Sequence, residues 1–266
     1  MNIVHIRANL EQPAPTGLAW LEGLGNTVVD LLFPPRCVVC NRLGAWLCAP
    51  CLGEIEAIHP PVCRRCGLPV DNLEGSSSAA RICERCQKAP PQLDGLLAYA
   101  FHGGPLRQAI HQFKYEDLRA LAAPLGKLMA DGWVALSSPD WAVDVIVPVP
   151  LHATRQRERG YNQAALLARE LGACLHRPVV ENILLRTRAT APQVELNAQE
   201  RKANVRDAFQ CMDASLSGKQ VLLIDDVCTT GATLEAACAA LRDGGATLVW
   251  AYTLARARPR RRPSVG

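Results

Sequence analysis

The sequence predicts an α/β protein, a mostly parallel sheet with helices on both faces, preceded by a small cysteine-rich module. Three observations carry this reading. Apolar runs of strand length alternate with stretches of helical period from about residue 96 to residue 254, the order that builds parallel sheets. Within that order, the apolar run Val221-Leu222-Leu223-Ile224 is followed by Asp225-Asp226, a hydroxyl-rich loop with one glycine, and a helical pattern of Leu234, Ala237, Cys238 and Leu241. Four Cys-x-x-Cys pairs fall between residues 37 and 86.

Composition sets the bounds. A chain of 266 residues, 49% of them hydrophobic, holds one ordinary core and a small module beside it. The net charge of +4 is terminal. Without Arg256, Arg258, Arg260, Arg261 and Arg262 the chain carries 24 basic and 25 acidic residues, so its body is nearly neutral. Twelve cysteines would suggest disulfides in a short secreted chain. The first residues carry no long apolar run, and no stretch approaches the length of a membrane span. A cytoplasmic protein with metal-bound cysteines is expected.

Residues 1–34 form an N-terminal extension with an amphipathic helix from about Thr27 to Phe33, stopped by Pro34-Pro35. Glu22 and Asp30 deny it the basic face of a membrane-surface helix. Residues 35–90 are the cysteine module, with pairs Cys37/Cys40, Cys48/Cys51, Cys63/Cys66 and Cys83/Cys86. Eight thiolates make two closed tetrahedral zinc sites. The 16-residue spacer between Cys66 and Cys83 suits a four-cysteine ribbon, and the seven residues between Cys40 and Cys48 suit a tight knuckle. Sequential pairing is favoured, and interleaved pairing stays open. Gly67 fits a turn that aims backbone N–H at sulfur, and Gly75 to Ala80 reads as a flexible insertion. With few large apolar residues, this module needs the metal for its folding energy, and a closed site leaves no position for catalysis.

Residues 91–256 hold the larger unit. Leu96 to Phe101 is a strand. Gly103-Gly104-Pro105 starts a helix with Leu106, Ile110 and Phe113 on one face, and a second helix runs from about Leu118 to Met129, broken near Gly132. Val143 to Val147 is a buried strand that leads into Pro148-Val149-Pro150-Leu151-His152. Arg155, Arg157 and Arg159 follow in a loop before a helix with Leu166, Leu167 and Leu171. Three arginines in five residues suit phosphate oxygens, the competing reading being a solvated face. Arg186 to Phe209 is polar and reads as a flap over an anionic substrate or as a plain surface excursion. Strand Val221–Ile224 ends at the two acids, and the last strand is Thr247 to Leu254. Residues 257–266 are a basic tail.

A strand, a polar loop and a helix start make a phosphate cradle, because backbone N–H groups and the positive helix end face an anion. Paired acids beside it suit vicinal ribose hydroxyls. In a parallel sheet this loop and the His152 loop both lie at the carboxyl ends of strands, where ligands bind.

Val221 to Thr233 resembles the phosphoribosyl pyrophosphate (PRPP) binding motif of type I phosphoribosyltransferases, departing at Cys228, where an aliphatic residue is usual. With the cysteine pairs, Pro148-Val149-Pro150-Leu151-His152 and Arg159-Gly160-Tyr161-Asn162-Gln163, the chain from about Leu31 to Leu254 is similar to the ComF family, which includes ComFC and the GntX type. The resemblance implies a type I phosphoribosyltransferase-like fold behind a double zinc ribbon, with PRPP bound together with magnesium. It implies catalytic Asp225 and Asp226 at the ribose hydroxyls, and Thr229, Thr230, Gly231, Ala232 and Thr233 around the 5′-phosphate. His152, Arg155 and Arg159 would stand near the pyrophosphate. Thr229 stands where relatives that salvage 6-oxopurines carry an aspartate, which argues against hypoxanthine or guanine as acceptor. Some members of the family act in DNA uptake during natural transformation, so single-stranded DNA and proteins of the competence machinery are implied partners. Two other readings stand beside the transferase. One is a PRPP or nucleotide sensor without turnover. The other is a single-strand-binding competence factor, for which five tail arginines suffice electrostatically but lack interleaved aromatic residues.

Overall fold

The computed structural model describes residues 34–70, 82–138, 141–188 and 207–259. The expected helix at Thr27–Phe33, the Gly75–Ala80 insertion, the middle of the predicted flap and the end of the arginine tail lie outside them. Two short helices, α1 (Ala49–Gly53) and α2 (Glu84–Lys88), belong to the cysteine module. The sheet begins with β1 (Gly95–Phe101), followed by α3 (Gly104–Tyr115), α4 (Ala122–Leu136), β2 (Val145–Pro148), α5 (Ala153–Arg159) and α6 (Gln163–Leu175). A two-stranded antiparallel ribbon of β3 (Leu184–Arg186) and β4 (Phe209–Cys211) comes next. Then β5 (Gln220–Cys228), α7 (Ala232–Asp243) and β6 (Leu248–Arg256) complete the order. The four long strands pair in parallel as β1-β6-β5-β2.

Both faces of this sheet are covered, which is why its strands read as continuous apolar runs. On β5, Leu222 and Ile224 join the core built by α3, α4 and α6, whereas Val221 and Leu223 join the core under α7. The predicted α/β architecture with helices on both faces is thus the observed one. Leu106, Ile110 and Phe113 of α3 and Leu234, Ala237, Cys238 and Leu241 of α7 are buried as their spacing required.

Several local expectations are corrected. The second helix does not break near Gly132. A 3-10 turn over Arg119–Leu121 leads into α4, which continues to Leu136. Gly132 serves packing, since a Cβ there would lie 2.6 Å from the Tyr99 ring and 2.7 Å from the Tyr252 hydroxyl. Strand β5 does not end at the two acids. It pairs with β6 as far as Cys228↔Arg256, whereas its pairing with β2 stops at Pro148↔Ile224. Asp225 and Asp226 therefore stand on a regular strand whose neighbour has ended on one side. The segment with three arginines is a helix, α5, rather than a loop.

The sheet's two edges are paired. The link after α1 adds to β1 through the Ala57↔Ala100 bridge, with Ile58 N–H donating to Tyr99 O (2.8 Å) and Phe101 N–H donating to Glu56 O (3.0 Å). At the far side, Ile146 of β2 donates to Pro178 O and accepts from Val180 N–H, each at 2.9 Å.

Candidate functional site

A cleft of about 720 Å³ opens at the carboxyl ends of β2 and β5. Arg155, Arg159, Asp225, Asp226, Thr229 and Thr233 line it, so the arginine helix, the acid pair and the polar loop converge on one space. His152, Thr230, Gly231 and Ala232 stand outside its wall. His152 is the N-cap of α5, its Nδ1 accepting from Thr154 N–H at 3.3 Å.

The loop after β5 gets its shape from Gly231. With φ at +89° it adopts the left-handed conformation that side chains disfavour, and it is the N-cap of α7. Having no side chain, it supplies no side-chain cap, and the positive helix end faces whatever the loop holds. Thr230 Oγ1 accepts from Ala232 N–H at 3.4 Å and braces the turn.

The acids differ in surroundings. Asp226 is 8% exposed and accepts from Lys114 Nζ at 2.8 Å. Asp225 accepts from the backbone N–H of Asp226 at 2.8 Å. Burial, and then the Asp226 charge, push its carboxyl up to about 7. Two carboxylates crowded in this way gain from a ligand that donates hydroxyls or from a divalent cation. His102, at the end of β1, is held below its ordinary value by burial, then by Lys114 and Arg107. Arg186 is pushed down by burial and then by Arg155, and its guanidinium lies 5.4 Å from the Phe209 ring centroid.

Residues 159–163 turn out to be a clasp. Gly160 ends α5 at φ +76°. Tyr161 Oη donates to Phe113 O, and Gln163 Nε2 donates to the same oxygen at 3.4 Å. Asn162 caps α6 through Ala164 N–H (3.1 Å) and donates to Val149 O (3.0 Å). Arg159 Nη1 donates to Gln163 Oε1 at 2.7 Å. This clasp ties the segment after β2 to the end of α3, and so brings in residues that sequence reasoning missed. Lys114, Arg107, His111 and Tyr115 of α3 all line the cleft. Their only sequence signal is a polar stripe opposite the apolar face of α3.

The cysteines divide into two sequential sets. The thiols of Cys37, Cys40, Cys48 and Cys51 lie within 4.8 Å of one another, as do those of Cys63, Cys66, Cys83 and Cys86. Interleaved pairing is thereby excluded. A tetrahedral zinc with bonds of about 2.3 Å sets its sulfurs about 3.8 Å apart, and the Cys66–Cys83 and Cys40–Cys48 sulfurs are 3.8 and 3.4 Å apart. Each set is built alike. A knuckle closes with Cys37 N–H donating to Arg42 O, or Cys63 N–H to Leu68 O, both at 2.8 Å. Asn41 (φ +64°) and Gly67 (φ +67°) take the left-handed turn after the second cysteine. The other pair sits on α1 or α2, and Cys48 and Cys83 N–H donate to the Cys37 and Cys63 sulfurs at 3.5 and 3.3 Å. Both four-cysteine sites fit structural zinc. Gly67 also lets its knuckle press onto β1, since a Cβ there would fall 2.3 Å from Leu96 O. All twelve cysteines are free thiols, with no disulfide.

Among the described residues no helix is long and apolar enough to cross a membrane. Residues 28–88 match the family model of the double zinc ribbon domain, and residues 157–265 that of the phosphoribosyl transferase domain. The chain is 34% identical over 232 residues to the DNA utilization protein YhgH of Escherichia coli K12, covering 83% of this chain and 97% of that one. It is 32% identical to competence protein F of Haemophilus influenzae over 219 residues, 79% of this chain and 90% of that one. It is 30% identical to competence protein ComFC of Bacillus subtilis over 227 residues, 79% and 84% of the two chains. A double zinc ribbon seated on a parallel α/β sheet of phosphoribosyltransferase type, shared with these relatives over most of their length, places the chain in the ComF family.

Proposed function

We propose that this protein binds PRPP in the cleft and transfers its phosphoribosyl group to an acceptor. One observation carries the reading: the Asp225–Asp226 pair, with Thr229 and Thr233 on either side of the turn into α7, shares a single cleft with Arg155 and Arg159. Thr229 to Thr233 hold the 5′-phosphate through backbone N–H groups and hydroxyls. Asp225 and Asp226 orient the ribose through its hydroxyls. Arg155 and Arg159, with His152 at the start of their helix, offer donors to the pyrophosphate, whose charge grows as its bond to C1 breaks. Asp225 and Asp226 would hold a magnesium ion with ligand oxygens, which neutralises part of the pyrophosphate charge. Positioning and charge, rather than covalent chemistry by the protein, supply the rate.

Relatives named for competence and for DNA utilization support placing this chemistry in the use of DNA taken up by the cell, with single-stranded DNA or competence proteins as partners. Eight cysteines gathered into two metal-ligating sets support a reducing, cytoplasmic setting. A reading without turnover, as a PRPP sensor, is favoured by one feature: Thr229 leaves the loop after the acid pair without a carboxylate to take a proton from an acceptor.

Calorimetric titration of the zinc-loaded protein with PRPP and magnesium tests the site. Binding is expected in the wild type and a loss of at least tenfold in affinity in Asp225→Ala/Asp226→Ala. A folded, zinc-loaded wild type that binds no PRPP overturns both readings. Binding without pyrophosphate release across an acceptor panel favours the sensor.

A further inference from the structure

We infer that the acceptor side of the cleft takes a planar ring bearing an acidic group, held by the outer face of α3. The inference rests on the phosphoribosyl reading above and names the substrate class of that site. Arg107, His111, Lys114 and Tyr115 recur at helical spacing along the cleft-facing side of α3, opposite the buried Leu106, Ala109 and Phe113. This face is aromatic and cationic rather than merely polar.

Tyr115 is 64% exposed, a large ring left in water at the cleft wall. Its centroid lies 5.0 Å from that of His111, and the Arg159 guanidinium lies 5.1 Å from it. Such an assembly offers a flat ligand a stacking surface. Charge then selects among flat ligands. Lys114 is held by Asp226 and Arg119 by Asp117. Arg107 has no hydrogen bond or ion pair to another side chain among the described residues, and it sits one turn, about 6 Å along the axis, from His111. Burial, and then the charges of Lys114 and Arg107, already disfavour protonation of His102. Of the acids on the cleft wall, Asp117 and Asp226 are paired with cations, Asp225 accepts from backbone, and Glu158 belongs to α5. An acidic group on the ring supplies the missing counter-charge to Arg107.

The location suits transfer, because Lys114 joins this face directly to Asp226. An acceptor atom donates its electron pair to C1, and the C1–O bond to pyrophosphate breaks. That bonding pair leaves with pyrophosphate, and any proton on the acceptor atom passes to water.

The test uses matched rings with and without a carboxylate: orotate against uracil, and nicotinate against nicotinamide. Each is titrated into the full-length zinc-loaded protein, with and without PRPP and magnesium. The carboxylated member is expected to bind at least tenfold tighter than its partner. Arg107→Gln should reduce that preference to within about twofold while PRPP affinity stays within about twofold, and Tyr115→Ala should weaken both members. Equal binding of the paired rings, or no ring binding by protein that binds PRPP, overturns the inference and leaves the PRPP site standing. If PRPP does not bind but the carboxylate preference and its loss in Arg107→Gln persist, the phosphoribosyl reading fails and the ring site survives it.

Discussion

Asp225 is an acid whose surroundings favour its protonated form. Its folded value lies near 7, against an ordinary 3.8. The folded state therefore holds a proton that the unfolded chain has released, and stability falls as pH rises from about 4 to about 7. In Asp225→Asn this loss is absent. In ligand-free protein the variant should gain on the wild type between pH 5 and pH 8 by on the order of 1–3 kcal/mol, read from thermal melts at both values. Lys114 acts in the opposite sense. Lys114→Met leaves Asp226 largely buried without its cation and should cost about 1–2 kcal/mol in urea unfolding at pH 7.5. The two acids were legible in the sequence because they are adjacent and followed by their loop. Lys114 was not, because it meets Asp226 across 112 residues, and no local pattern records such a contact. The clasp of Tyr161, Asn162 and Gln163 was visible as a motif, but its partners, Phe113 O and Val149 O, could not be read from it.

At the scale of elements, helical period revealed α3, α6 and α7 because each buries an apolar face. It could not reveal α5, which buries no residue at all. Its seven residues form a helix through local means, the His152 cap at one end and the left-handed Gly160 at the other. The predicted break in α4 failed for a related reason. Glycine is a poor helix former in general, but tertiary contact with Tyr99 and Tyr252 decides here. Gly132→Ala, which would stabilise an isolated helix by up to about 1 kcal/mol, should instead destabilise this protein by about 1–3 kcal/mol through overpacking. Chemical denaturation would show which sign holds. The continuation of β5 through its acids also depends on a partner, the long β6, that lies outside the local sequence.

For the whole molecule, the cysteine module is part of the sheet's construction. Leu47 and Ile55 enter the same core as α3 and α4, and residues 56–58 pair with β1. Metal removal should therefore do more than unfold an appendage. A strong chelator is expected to release two zinc equivalents, lower the melting temperature of the sheet domain and expose the β1 edge, seen as aggregation in light scattering. Cys63→Ser should retain one equivalent and, because its knuckle presses on β1, should still shift the melt. Retention of the full melting temperature after complete zinc loss would contradict this coupling.

The strand order carries a consequence for how the chain is made. β6 comes last among the strands, yet it lies inside the sheet, between β1 and β5. During synthesis, β1 emerges about 150 residues before the strand it must join, so the sheet has no closed core until residues 248–256 have left the ribosome. The zinc sites need only local segments, and metal capture can come early. The metal sites are thus expected to order first, with residues 56–58 covering the outer edge of β1 while its inner edge waits for β6.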